Sequence, residues 1–208
     1  MFLLLPLLTF GLTVLLLRLL LGNGRLLAAD IPNHRSLHEG AIPRGGGIAF
    51  VISVVIAFGL FYLFSDIIAW WPAALLILLL GSAFLGWLDD HHNLSIIIRL
   101  IMQFLLASFA WIFVVHNGSW QTSIAWFPMA LIGFVWSMNL VNFMDGMDGL
   151  AATQGILGGG ALCVWLYLAG ANQEVLFMLV WIAGLCAFLI FNWHPARVFM
   201  GDTGSLAL

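Results

Sequence analysis

Lysine does not occur in this chain, and charge of either sign is scarce. Six arginines and nine carboxylates are spread over 208 residues, of which 63% are hydrophobic and 7% charged. A soluble domain carries about a quarter charged residues, so the composition excludes water as the main solvent. With a net charge of −3 and no basic stripe, a nucleic-acid partner is excluded as well. Cysteine is nearly absent. Cys163 and Cys186 both sit inside apolar runs, where a thiol behaves as a small hydrophobe, so no disulfide framework or redox chemistry is expected. Internal repeats and low-complexity segments are also missing.

Apolar runs are what the chain has in abundance. A membrane helix needs about 20 mostly apolar residues, and seven stretches qualify: Phe2–Leu21, Gly45–Phe64, Trp70–Leu88, Ile96–Val115, Ile124–Val141, Leu150–Gly170 and Val175–Phe191. The first has no basic start and no A-x-A cleavage site, and carries Arg18 at its far end, so it reads as an uncleaved span. Leu206 to Leu208 read as the start of an eighth. The expected fold class is all-α: a polytopic transmembrane helical bundle of about seven spans plus the start of an eighth, with residues 1–208 as a single transmembrane domain. The Gly158-Gly159-Gly160 run reads as a close helix-packing face.

Threading seven spans puts Arg18, Arg25, Arg35, Arg44, Arg99 and Arg197 on one side. The positive-inside rule makes that side cytoplasmic. Asp30, Glu39, Asp89, Asp90, Asp145, Asp148 and Asp202 fall there too, leaving Asp66 and Glu174 outside. Carboxylates needed only for solubility would not sort in this way.

Four polar clusters occupy that face. The first, Asp30 to Gly47, holds two prolines and a glycine triplet and reads as an irregular, turned segment. Its Arg35, His38 and Arg44 are donors suited to phosphate, because a guanidinium fork matches phosphate oxygens; a loop holding lipid headgroups is the alternative. The second is Asp89-Asp90-His91-His92 with Arg99 following. Adjacent side chains on a helix diverge by about 100°, so Asp89 can face a reaction centre as a base or metal-linked carboxylate while Asp90 supports it. A solvated helix end is the plainer reading, and His91 and His92 read as interfacial residues. The third runs from Asn139 through Asn142 and Asp145-Gly-x-Asp148-Gly, whose glycines permit sharp turns. The fourth runs from Asn192 through Phe199 to Gly201-Asp202-Thr-Gly. Asp202 is placed to hold a cation against a phosphate, since Mg²⁺ takes only one or two protein oxygens beside phosphate oxygens and water. Phe199 reads as free to stack on a planar base.

These motifs, in this order, resemble the polyprenyl-phosphate N-acetylhexosamine-1-phosphate transferases (glycosyltransferase family 4). That family includes the translocase of peptidoglycan precursor synthesis and the initiators of O-antigen. The matching residues are Pro-Asn-x-Arg35-Ser-x-His38 with Pro-Arg44-Gly-Gly-Gly, the Asp89-Asp90 pair with Leu94-Ser95 and Arg99, Asn139-x-x-Asn142-x-x-Asp145-Gly-x-Asp148-Gly-Leu-Ala, and Phe191-Asn192-x-x-Pro-Ala-x-Val-Phe199-Met-Gly-Asp202-Thr-Gly-Ser. The loop after the acid pair is most similar to the O-antigen initiator branch. The resemblance implies Mg²⁺, with Mn²⁺ as a substitute, at Asp202 shared with Asn142. It implies catalytic roles for Asp89, Asp90 and Asp202, and a nucleotide surrounded by Asn142, Asp145, Asp148, Asn192 and Phe199, the ring on uracil. The partners it implies are polyprenyl phosphate, a UDP-N-acetylhexosamine and the bacterial inner membrane, with a homodimer left open. A histidine-rich loop of the family would lie beyond Leu208, so the chain is expected to be roughly the N-terminal two-thirds of a longer member. An ion-coupled transporter and an inactive membrane fragment are the competing readings; a transporter would place its carboxylates near the bilayer midplane, whereas here they lie at span ends.

Overall fold

The structure, a computed structural model, describes residues 4–23, 27–30, 42–64, 71–117 and 124–208. Seven helices long and apolar enough to cross a membrane follow one another: α1 (Leu5–Gly22), α2 (Gly47–Phe64), α3 (Trp71–His92), α4 (Ile96–Asn117), α5 (Phe127–Met144), α6 (Leu150–Leu168) and α7 (Asn172–Asn192). A single turn, α8 (Asp202–Ser205), ends the order. α1, α3 and α5 each carry a proline in the first turn, where the missing N–H has no intrahelical partner in any case. The helices are apolar around their whole circumference, as spans surrounded by hydrocarbon must be. Leu63, Phe143 and Leu168 are each 78% exposed, which suits lipid and not water.

Packing divides the bundle. α1, α2, α6 and α7 share a core built on Leu17, Phe50, Leu185 and Phe188, and Phe177 of α7 meets Phe58 of α2 edge-on with centroids 4.2 Å apart. Leu85 of α3 and Met138 of α5 close on Leu206. α4 leans on α5 through Ala107, Leu131 and Val135.

α3 and α5 run three to four residues past their expected ends. α3 continues through Asp89 and Asp90 to His92, and α5 carries Asn142 in its last turn. Acids and amides therefore project from rigid helix ends. The segment expected to be irregular contains a short antiparallel ribbon, β1 (Ala28–Asp30) against β2 (Ile42–Arg44), in the register Ala28↔Arg44, Ala29↔Pro43 and Asp30↔Ile42. Phe199 extends it: its N–H donates to the Pro43 carbonyl at 2.8 Å, and the Gly45 and Gly46 N–H groups donate to the Phe199 carbonyl.

Glycines let α8 approach the bundle. A Cβ on Gly86 of α3 would stand 2.0 Å from the Asp202 carbonyl oxygen, and one on Gly47 would stand 2.4 Å from the Gly204 Cα. The glycine triplet of α6 needs correcting. Only Gly159 faces a neighbour, Ile182; Gly158 and Gly160 look onto open space. Gly158 borders an apolar cavity of about 460 Å³ that Phe134, Trp181 and Leu208 also line.

Candidate active site

β2, with Arg44, the C-terminal ends of α3 and α5, and the start of α8 converge on Asp202. Its Oδ1 accepts from Asn142 Nδ2 at 2.7 Å and from Arg44 Nη2. Asn142 donates also to Ser205 Oγ at 2.9 Å. The same Arg44 nitrogen lies 3.3 Å from Asp90 Oδ1, so one guanidinium spans two carboxylates. Asp90 in turn accepts from the Asp202 N–H (3.2 Å), the Thr203 N–H (2.9 Å) and Thr203 Oγ1 (2.8 Å). It takes up donors that a helix start leaves unpaired and ties α8 to the end of α3. Asp89, buried at 6% exposure, faces the other way. It accepts from the Leu94 N–H at 2.9 Å and from Arg99 Nη1 at 2.9 Å. The 100° divergence of neighbouring helical side chains is realised in these two acids.

A model of glycosyl transferase family 4 matches residues 70–208. The chain belongs to glycosyl transferase family 4. It is 33% identical over 197 residues to a probable undecaprenyl-phosphate N-acetylglucosaminyl 1-phosphate transferase of Bacillus subtilis (strain 168), a match covering 87% of this chain and 52% of the relative. It is 32% identical over 202 residues to a phospho-N-acetylmuramoyl-pentapeptide-transferase of Streptococcus pneumoniae (strain CGSP14), covering 89% and 61%. A protein of the same description from Oceanobacillus iheyensis is 35% identical over 188 residues, covering 80% and 58%. The chain thus spans between half and two-thirds of the length of these curated relatives.

In this family member the third and fourth motifs are stitched together through backbone groups. Asp145 accepts from the Met200 N–H (3.1 Å) and the Gly201 N–H (2.7 Å). Asp148 accepts from the Ala196 N–H at 3.1 Å and pairs with His194 at 2.8 Å. Asn192, 1% exposed, receives the Gly149 N–H at 3.0 Å and donates to the Val198 carbonyl at 2.9 Å. Gly149 has φ +70°, a conformation that glycine adopts without strain. Asp145, Asp148 and Asn192 thus shape the segment that delivers Asp202. Phe199 corrects an expectation: its side chain is 2% exposed and packed within the protein, not free to stack on a base. Arg35 and His38 lie outside the described residues. His91 and His92, the last residues of α3, are exposed, as interfacial residues should be.

Electrostatics follow from this crowding. Burial raises the Asp202 carboxyl above its usual range; Arg44 and Asn142 pull it back, and Asp90 and Asp89 add repulsion. Burial alone would lower the Arg44 pKa, but Asp202 and Asp90 outweigh it and the guanidinium is held above its ordinary value. Burial pushes Asp145 up to about 7, against the two N–H donors of Gly201 and Met200.

A hard cation fits the donor set. Asp202 and Asp90 already face one positive group, Arg44, and Asn142 adds an amide beside them. As placed, that amide donates; presenting its oxygen to a metal takes a half-turn of the side chain. Among the described residues no three His, Cys, Asp or Glu side chains form a ligand cluster.

One contributor was missed from sequence. Gln103 of α4, fully buried, accepts from Asn139 Nδ2 at 2.7 Å. It stands one turn beyond Arg99, so α4 holds Asp89 of α3 with one residue and steadies α5, a turn before Asn142, with the next. An amide inside an otherwise apolar span was the available signal.

Proposed function

We propose that this chain forms the site at which an oxygen of polyprenyl phosphate attacks the β-phosphorus of a UDP-N-acetylhexosamine. The new P–O bond joins sugar phosphate to lipid phosphate, the bond to UMP breaks, and the products are a polyprenyl-diphosphate-linked sugar and UMP. The observation that carries the reading is the convergence of Arg44, Asp90, Asn142 and Asp202 at one end of an apolar bundle. Phosphoryl transfer is chiefly alignment and charge screening, and these residues supply both. A lipid substrate keeps its tail in hydrocarbon, so its phosphate meets a water-borne nucleotide only at the membrane surface. The sorted arginines support the cytoplasmic leaflet as that surface. The likeness of the loop after the acid pair to the O-antigen initiators supports a start-of-polysaccharide role in the cell envelope.

Asp202 and Asn142 would hold Mg²⁺, with Mn²⁺ as a substitute; when bound, the ion neutralises pyrophosphate charge and polarises the leaving phosphate. Arg44 offers a fork that matches phosphate oxygens. Asp90 keeps α8 in place under Asp202. Both oxygens of Asp89 are engaged by Arg99 and Leu94, so Asp89 acts on the lipid phosphate through exchange of the Arg99 contact. In membranes supplied with radiolabelled UDP-N-acetylglucosamine and polyprenyl phosphate, Mg²⁺-dependent UMP release is expected, and it is lost in Asp202→Asn and Asp89→Asn. Normal turnover in both variants overturns the assignment. Competing UDP-sugars in the same assay identify the hexosamine.

A further inference from the structure

Away from the acid site, the arginine-bearing ends of α1 and α7 border a separate groove of about 420 Å³. That volume is in the range of ligand-holding clefts, roughly 300–1,000 Å³. Phe10, Val14, Arg18 and Leu21 form its α1 wall, and Phe191 and Arg197 stand on the α7 side. The α1 residues are spaced four, four and three apart, so they make one stripe of the helix. From Phe10 to Arg18 the stripe runs about 12 Å down the helix axis. Val14 and Phe10 lie about one and two turns deeper along α1 than Arg18, and Leu21 lies nearer the helix end.

Arg18 and Arg197 are both exposed, and among the described residues neither is ion-paired. Arg197 is nevertheless held in place: Nη2 donates to the Ile190 carbonyl at 3.2 Å, and the guanidinium lies 4.8 Å from the centroid of the Phe191 ring. A guanidinium has five N–H donors, so most of its capacity remains. Two cations at headgroup depth over an apolar channel match a phosphate that carries a hydrocarbon tail. A free nucleotide would leave the apolar wall unused, and a zwitterionic headgroup would bring its own cation beside the two arginines.

We propose that this groove binds an anionic bilayer phospholipid, its phosphate held by Arg18 and Arg197 and an acyl chain laid against Val14 and Phe10. The site uses none of the residues assigned to the transfer reaction, so it stands or falls separately.

Native mass spectrometry of the purified chain in neutral detergent tests it. Dioleoyl phosphatidylglycerol, dioleoyl phosphatidylcholine, polyprenyl phosphate and inorganic phosphate are the probes. Phosphatidylglycerol is expected to bind saturably and in preference to phosphatidylcholine. An arginine near a charged surface contributes about 1 kcal/mol, so Arg18→Gln with Arg197→Gln weakens binding roughly thirtyfold. The Arg18→Lys, Arg197→Lys pair retains most of it, which separates lost charge from lost fold. Val14→Trp, with both arginines kept, blocks the channel and lowers affinity. Equal binding of the two phospholipids, or unchanged affinity in the glutamine pair, overturns the proposal. Displacement of phosphatidylglycerol by inorganic phosphate or by polyprenyl phosphate at equal concentration also overturns it, in favour of a phosphate or substrate site.

Discussion

Asn142 and Asp202 are 60 residues apart in sequence and 2.7 Å apart in space, with the amide at the end of one span and the carboxylate at the start of the turn that packs under another. Asn142 also holds Ser205, so one side chain fixes both ends of α8. Substituting leucine removes two donors at once. A hydrogen bond to a charged group is worth about 1.5–3 kcal/mol, and loss of a positioned donor at a reacting phosphate lowers turnover by roughly a hundredfold or more. UMP release by Asn142→Leu is expected to fall on that scale while its far-ultraviolet dichroism stays that of the parent.

Gly86 tests the seating of α8. Alanine there would put a methyl group 2.0 Å from the Asp202 carbonyl oxygen, and backbone cannot yield as a side-chain tip can. Overpacking costs about 1–3 kcal/mol, and it displaces Asp202 directly. Gly86→Ala is expected to abolish transfer and lower the melting temperature. Gly158→Ala, a substitution into open space in the interior of α6, is expected to stabilise by roughly 0.5–1 kcal/mol and leave transfer intact.

Asp145 should give stability a pH dependence. Its carboxyl titrates near 7 in the folded chain against an ordinary 3.8. Between those values the folded form keeps a proton that the unfolded form has released. Stability from this group is therefore complete below about pH 4, falls as pH rises through about 7, and is level above. Thermal melting in detergent across that window should show the decline, and Asp145→Asn should flatten it. The same variant turns an NH₂ toward the Met200 or Gly201 N–H, costing about 1–3 kcal/mol at every pH.

Gln103 separates positioning from stability. Polar contacts between membrane helices contribute about 0.6 kcal/mol on average, and leucine at this site also removes a buried, unpartnered Nε2. Gln103→Leu is expected to melt within a degree or two of the parent. Its kcat falls about tenfold or more, with KM little changed, because the turn of α5 that carries Asn142 loses its brace.

The spans were readable because hydropathy is local: a run of apolar residues announces its solvent whatever it packs against. The collection of acids on the arginine side was readable for a related reason, since carboxylates are expelled from hydrocarbon wherever nothing compensates them. Partnerships were not readable. Asp-Gly-x-Asp-Gly looks the same whether its carboxylates face a nucleotide or, as with Asp145 and Asp148, the backbone N–H groups of a segment about 50 residues away. Phe199 looked free because its motif ends in a turn; the pairing of its backbone with Pro43 and Gly45, which draws the ring inward, is a long-range event. Gln103 was passed over because one amide scarcely changes the hydropathy of a 22-residue helix.

The backbone pairing of Phe199 with the ribbon has a consequence for biosynthesis. Pro43 leaves the ribosome before six of the seven spans have been made, and its partner emerges only after α7. Contacts between such distant parts of a chain form late. Insertion intermediates therefore hold Asp90 at the membrane surface without its α8 partner, while Asp89 already has Leu94 and Arg99, and the centre is assembled only after α7 has entered the bilayer.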